Sequence, residues 1–404
     1  MLVLEDDTID LTIAKTSDLL LVIEKDRYPS IESYIDQYIQ DLNNQGCSVT
    51  VHLWNGGSVE NLKETIYEYY RSLSIGGAFL VGELPSAWFE LEGFTGHEEF
   101  PCDLFLMDLD NVWADMNNNG IYDYHSDIET EIFISRVIGS HQELKDYFSK
   151  AHTYRVDSIP VSEQAYIFKD NDWFEFNRGS AFGLEDIYAS IALSDEPTNT
   201  LKRDYLSMLT LEGAEYVYQW IHANPTLLYI EESEYYTFLF DVEIAYHNVK
   251  ALFFNLYNCS ASRFTEENIA MTYLMKTDYG IATMGSTKPG GNHYPKAFHR
   301  LLSNGSTWGE AFRGWYNDFG ITDDRWFLGM VILGDPMLTI TAEVQRVLET
   351  KPLTEVPPDE EALEDLSEKI VTFTDNDVEK DFNYYKEKYP QFFSVSDAIQ
   401  PSTR

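Results

Sequence analysis

The chain has 404 residues, 44% of them hydrophobic and 15% aromatic, which is ample for a sizeable core and excludes a disordered polymer. Its 68 acidic against 28 basic residues give a formal net charge of −40, a field that repels nucleic acid and anionic membranes and favours cations. Three cysteines far apart, Cys47, Cys102 and Cys259, make neither a disulfide framework nor a zinc spacing, and no apolar run reaches the ~18 residues of a membrane span.

The first ten residues are acidic and lack the basic start and apolar centre of a signal peptide. The expectation is a cytoplasmic protein or a mature form whose leader has been removed, with a secreted or cell-envelope mature form favoured. Residues 19–25 then read as a buried strand. Residues 30–44 read as a helix through Ile31, Tyr34, Ile35, Tyr38, Ile39 and Leu42, ending near Gly46. A strand at 48–54, an amphipathic helix at 59–73 and a strand at 77–84 complete a strand–helix alternation, which implies a parallel sheet with right-handed crossovers. Residues 103–110 and 131–139 are expected as two more strands around an Asp/Asn-rich loop, followed by a helix at 142–156.

The alternation restarts after 157–160 with a strand at 165–169, helices at 184–193 and 202–211, and a strand at 215–221 that ends at His222. The run 251–257, Ala-Leu-Phe-Phe-Asn-Leu-Tyr, has the unbroken apolar character of a buried strand and gives out just before Cys259. A helix at 266–276, a strand at 280–287, a helix at 296–302 and a short strand at 331–333 follow. The expected organisation is an α/β sandwich of two similar halves with a mostly parallel sheet, an N-terminal subdomain at 1–157, a catalytic subdomain at 158–342 and an acidic C-terminal extension at 343–404. Within that extension, 377–389 has the spacing of one amphipathic helix.

Three constellations carry chemistry. Asp115, Asn117, Asn119 and Asp123 stand at positions 1, 3, 5 and 9 of a loop with Gly120 at position 6, the first part of an EF-hand-type calcium site in which Ile121 would lend its carbonyl. Position 12 holds Ser126 in place of the expected Glu, so Asp127, Asp108 or Asp110 is expected to supply the remaining charge. Alternatively the loop is a hydrophilic turn without an ion. His222 and Cys259 both fall at strand ends, where open α/β sheets place their ligands. A thiol there is either a packed core group or a nucleophile served by an imidazole. Asp170 and Asp172 directly follow a strand and could orient the histidine or bind a cationic group, or simply solvate a loop. The segment Gly285-Ser286-Thr287-Lys288-Pro-Gly-Gly291 lacks phosphate-loop spacing and reads as a substrate-lining loop through Ser286 and Thr287.

Several stretches together resemble the gingipain family of cysteine peptidases, of the caspase-like clan. They are Phe79-Leu-Val-Gly-Glu-Leu-Pro85, Pro101-Cys-Asp-Leu-Phe-Leu-Met-Asp108, Glu131-Ile-Phe-Ile-Ser-Arg136, His222-Ala-Asn-Pro-Thr226, Phe253-Phe-Asn-Leu-Tyr-Asn-Cys259-Ser-Ala-Ser-Arg-Phe264, Gly285-Ser-Thr-Lys288, Gly309-Glu-Ala-Phe312 and Leu333-Gly-Asp-Pro-Met-Leu338. The resemblance implies a caspase-like α/β/α sandwich and hydrolysis of a protein or peptide substrate through a Cys–His dyad. It matches Cys259 to the nucleophile, His222 to the histidine, Asp170 to an acidic residue near that histidine, and the Asp115–Asp123 loop to bound calcium. Where the family commonly has Gly after the histidine this chain has Ala223, whose N–H, with that of Cys259, would still face an oxyanion. An acidic pocket at Asp170 or Asp172 would favour Lys or Arg before the cut. The oligomeric state is not legible in the sequence.

Overall fold

The structure, a computed structural model, describes residues 18–340 except 175, 177, 233, 234 and 293. Ten strands form its central sheet. Numbered in chain order they are β1 (Leu19–Glu24), β2 (Val49–Trp54), β3 (Gly77–Val81), β4 (Phe133–Val137), β5 (Ala165–Lys169), β6 (Ile191–Ser194), β7 (Ala214–Trp220), β8 (Ala251–Tyr257), β9 (Ala282–Ser286) and β10 (Met330–Gly334). Their spatial order is β6-β5-β7-β8-β9-β10-β4-β3-β1-β2. Most of the inner strands are buried at every position, as the unbroken apolar runs predict for a sheet covered on both faces. Side chains alternate between two cores: Leu20 and Val22 enter one, Leu19, Leu21 and Ile23 the other. Helix Tyr28–Asn44 covers the second face with Ile31, Ile35 and Leu42, and helix Val59–Leu73 the first with Leu62 and Ile66. The protein is therefore an α/β structure with a large, mostly parallel sheet between helices.

Every neighbouring pair in this sheet is parallel except β9 with β10. Strands β1–β4 and β10 thus run one way and β5–β9 the other. The carboxyl ends of β7, β8 and β9 open at the end where β10 begins, since Ser286 pairs with Met330. The last strand of the chain is also shared, because β10 adds itself to β4 of the first half.

Two predicted elements come out differently. Residues 103–110, expected as a strand, contain the short helix Leu104–Met107. The Asp103 carbonyl accepts the N–H groups of Leu106 and Met107, and its carboxylate is held by Arg136, so the chain turns there. All four helical residues are buried, and an apolar run this short has no period that separates strand from helix. Residues 184–193, expected as a helix, give one 3-10 turn at Leu184–Asp186 and then the edge strand β6. Here the Ser190 carbonyl takes the Ala165 N–H and draws the chain onto the sheet. Helix Trp308–Asp318, absent from the predicted elements, starts at a capping box between Thr307 and Glu310. The extension 343–404 and its expected helix at 377–389 lie outside the described residues. Among the described residues no helix is long and apolar enough to cross a membrane.

Behind β10 the chain makes a tight turn at Gly334, whose φ of 92° brings the backbone so close to Ile281 that a Cβ would lie 2.4 Å from its carbonyl oxygen. The next residue, Asp335, is fully buried and takes hydrogen bonds from Tyr38 Oη at 2.7 Å and the Met337 N–H, with Arg155 Nη1 at 2.6 Å as counter-ion. Removing one partner of such a pair leaves an uncompensated buried charge. Arg155→Met is expected to lower unfolding free energy by about 3–5 kcal/mol in urea titrations. Asp335→Asn in that background is expected to restore part of it, and a loss under about 1 kcal/mol would show that the pair does not hold the turn.

Candidate active site

Strand register builds the site. Trp220 of β7 pairs with Tyr257 of β8, so His222 and Cys259 each stand two residues beyond the same rung. Between them, Asn258 Nδ2 donates to the Ile221 carbonyl, and Gln219 Nε2 donates to Asn258 Oδ1 at 2.8 Å, locking the two chain segments together. The floor is aromatic: the Trp220 and Tyr257 rings stack at 4.3 Å, and Trp173 lies 5.3 Å from Tyr257 and 5.1 Å from His222.

His222 is 2% exposed and opens the small antiparallel ribbon His222–Asn224, Leu227–Glu232, Tyr235–Phe240. Burial pushes its imidazole down to about 4, so it is neutral at pH 7. Among the described residues its Nε2 makes no hydrogen bond; it lies 3.4 Å from Asp172 Oδ2, an oxygen that accepts the Tyr236 hydroxyl at 2.8 Å. Asp170 does something else. It is fully buried, both its oxygens accept the Glu231 N–H at 3.1 and 3.2 Å, and burial pushes its carboxyl well up. Among the described residues the carboxylate nearest the histidine is therefore Asp172, while Asp170 staples the ribbon to the end of β5.

Cys259 is partly exposed, whereas Cys47 and Cys102 are buried. The thiol is raised by burial, against which the backbone N–H of Gly290 and the nearby Lys288 ammonium favour the thiolate. Lys288, not singled out in the sequence, is fully buried. Its carbonyl accepts the Ser260 N–H at 3.0 Å, and its ammonium meets Glu98 Oε2 at 2.9 Å and donates to the carbonyls of Pro289 and Arg325. Glu98 belongs to the hairpin Trp88–Gly93/Gly96–Pro101, so the first half of the chain reaches across to the thiol. A lysine directly after an apolar strand and a Gly-Ser-Thr turn was the available signal. The strained backbone position is Ser260, with φ of 57°, and not Ala223, so alanine there costs no left-handed strain.

Ser286 and Thr287 do not line a substrate surface. Both are fully buried; the Ser286 carbonyl takes the Ser262 N–H, and Thr287 Oγ1 donates to the Pro101 carbonyl at 2.7 Å. They are joints between β9, the Cys259 turn and the hairpin.

The Asp/Asn loop is shaped around its own side-chain oxygens. Asp115 accepts the N–H groups of Asn119 and Gly120, Asp123 that of Met116, and Asn119 that of Ile121. The carboxylate facing the loop is none of the three expected: Glu90, 5% exposed and projecting from the hairpin, contacts the amides of both Asn117 and Asn119 through Oε1. Asp108 instead accepts from Asn111 and Trp113, in a separate acidic group with Asp110 and Glu131. Glu90, Asp115, Asn117, Asn119 and Asp123 present hard oxygens of the kind calcium takes.

No protein-family model and no curated protein matches this chain. Among solved structures, one of a Lac repressor bound to ONPG in its repressed state aligns over 72% of this chain and 76% of that chain at 10% identity, with a TM-score of 0.18. A likeness of that size carries no argument about fold or function.

Two outcomes test the electrostatics. The pH midpoint of iodoacetamide alkylation at Cys259 is expected above the ordinary 9.0, and Lys288→Met is expected to raise it further, because a cation beside the thiolate is lost while Glu98 stays; an unmoved midpoint would remove Lys288 from the site. Histidines 222 and 299 both fall to about 4 by burial, below the ordinary 6.5, so the unfolded chain takes up protons first. Their share of stability is complete above pH 6.5 and is lost as pH falls towards 4, at up to about 1.4 kcal/mol per pH unit for each. Urea titrations from pH 7 to 4.5 are expected to show a shallower acid slope in His299→Gln than in the parent protein.

Proposed function

We propose that the protein is a cysteine endopeptidase on a caspase-like sandwich. The observation that carries this reading is the register of β7 and β8, which leaves His222 and Cys259 each two residues beyond one rung at the open end of the sheet. With a neutral imidazole and a protonated thiol at rest, His222 acts first as general base, taking the Cys259 proton as sulfur attacks the scissile carbonyl. The imidazolium so formed is stabilised by Asp172 and returns its proton to the leaving amine. The N–H groups of Ala223 and Cys259 are the assigned oxyanion donors, and water then cleaves the acyl-enzyme. The carboxylate of Asp172 beside His222, with that of Glu231 next to it, favours a substrate with Lys or Arg before the cut.

Cys259→Ala is expected to abolish hydrolysis of a mixed fluorogenic peptide library, and unchanged turnover would overturn the assignment. Alkylation of Cys259 ahead of Cys47 and Cys102 does not discriminate, since exposure alone produces that order. Asp172→Asn is the sharper test of roles: kcat is expected to fall by roughly 10²-fold or more, with Asp170→Asn acting mainly through stability.

The raised thiol and the unbonded His222 Nε2 also favour a second reading, a catalytically silent binding module on the same frame. Absence of turnover on the whole library, with Cys259 folded and accessible, would select it.

In either reading the loop at Asp115–Asp123 is proposed to hold one calcium ion, with Glu90 replacing the carboxylate that position 12 lacks. A chelator is expected to lower the melting temperature, calcium to restore it, and Glu90→Gln to weaken binding by roughly tenfold or more. A melting temperature blind to chelator would remove the ion.

A further inference from the structure

The two halves leave between them a cleft of about 990 Å³ that Cys259 does not line. One wall is the pair of loops that follow β3 and β4, through Leu84 and Ile138. The other is helix Asp241–His247 with the segment from Phe264 to helix Ile269–Met275. Its apolar lining includes Val242, Phe264, Met271 and Met275, and methionine surfaces adapt to side chains of different shape. Its size is at the upper end of the range for ligand pockets and suits a peptide of several residues.

The rim decides what enters. Among the described residues Glu83, Glu143, Asp241, Glu266 and Glu267 line the cleft against the single cation Lys276. Lys276 pairs with Glu143, while Arg27 and Arg263 reach Glu83 and Glu266 from beside it, which still leaves five carboxylates facing three cations. The chain's own candidates for occupant carry the wrong sign. Residues 341–404 hold 15 acidic against seven basic residues, and a second copy brings a net charge of −40. A positively charged segment is attracted to this rim and steered towards it.

We propose that the cleft is a docking site for a cationic, amphipathic peptide segment, its apolar side chains on the methionine floor and its Lys or Arg side chains at the rim. Neither Cys259 nor His222 lines the cleft, and binding there does not depend on any chemistry at the thiol. If the protein cleaves peptides, the cleft is a second contact that holds basic partners at a distance from the cut. If it does not, the cleft is the binding function itself.

The test uses the full chain carrying Cys259→Ala, so that turnover plays no part. A fluorescein-labelled octapeptide of alternating Lys and Leu is titrated by anisotropy, with melting temperatures recorded for every variant. Binding is expected to weaken roughly tenfold in Asp241→Asn/Glu267→Gln and to weaken as salt rises. It is expected to vanish in Val242→Lys, which fills and charges the floor. A Lys/Ser octapeptide is expected to bind roughly tenfold or more weaker than the Lys/Leu one, and Glu64→Gln/Glu68→Gln, two exposed positions on helix Val59–Leu73 across the sheet from the cleft, to leave affinity unchanged. Equal losses in both charge pairs would reduce the effect to diffuse attraction by an acidic surface and overturn the proposal. So would undiminished binding to a folded Val242→Lys protein, or binding lost on Asp172→Asn, which would move the peptide to the strand ends.

Discussion

The antiparallel contact of β9 with β10 is the constraint on which the rest of the structure depends. A wholly parallel sheet would put every carboxyl end on one side and leave the two halves to build separate rims. Reversal at this seam sets the carboxyl ends of β7, β8 and β9 beside the amino end of β10. The excursion between β3 and β4 then lies where it can bring Glu98 to Lys288 and Pro101 to Thr287. One half supplies the histidine and the thiol, and the other supplies the carboxylate that pairs with the lysine beside the thiol.

Much of the frame is legible in the sequence because buried parallel strands announce themselves. Runs such as Leu19–Glu24 and Ala251–Tyr257 can only be satisfied with helices on both faces. The direction of β10 was not legible, since three apolar residues say nothing of which neighbour they join or which way they run. Nor was the short helix at Leu104–Met107, whose turn depends on Asp103 and Arg136 meeting 33 positions apart.

The candidate site shows the same division. His222 and Cys259 could be picked out by residue type and by the ends of strands. Choosing between Asp170 and Asp172 could not, because a single residue of chain separates a carboxylate that staples a ribbon from one that faces the imidazole. Glu90 is further still from its loop in sequence. Its strand alternates Trp88, Phe89, Glu90 and Leu91, and only the folded hairpin shows that the acidic position points towards Asn117 and Asn119.

The late arrival of β10 also bears on how the chain is assembled. Strand β4 is complete at Val137, yet the neighbour that closes its open edge is not made until Met330–Gly334. Until then an inner strand whose side chains are buried throughout in the finished protein presents unpaired backbone groups to whatever is near. Nearly 200 residues separate Arg136 from its partner Leu333, so the closure is a long-range event that follows local folding of the first half. A first half cut free before residue 330 would carry that edge permanently, and self-association through β4 is the failure to which such a fragment is exposed.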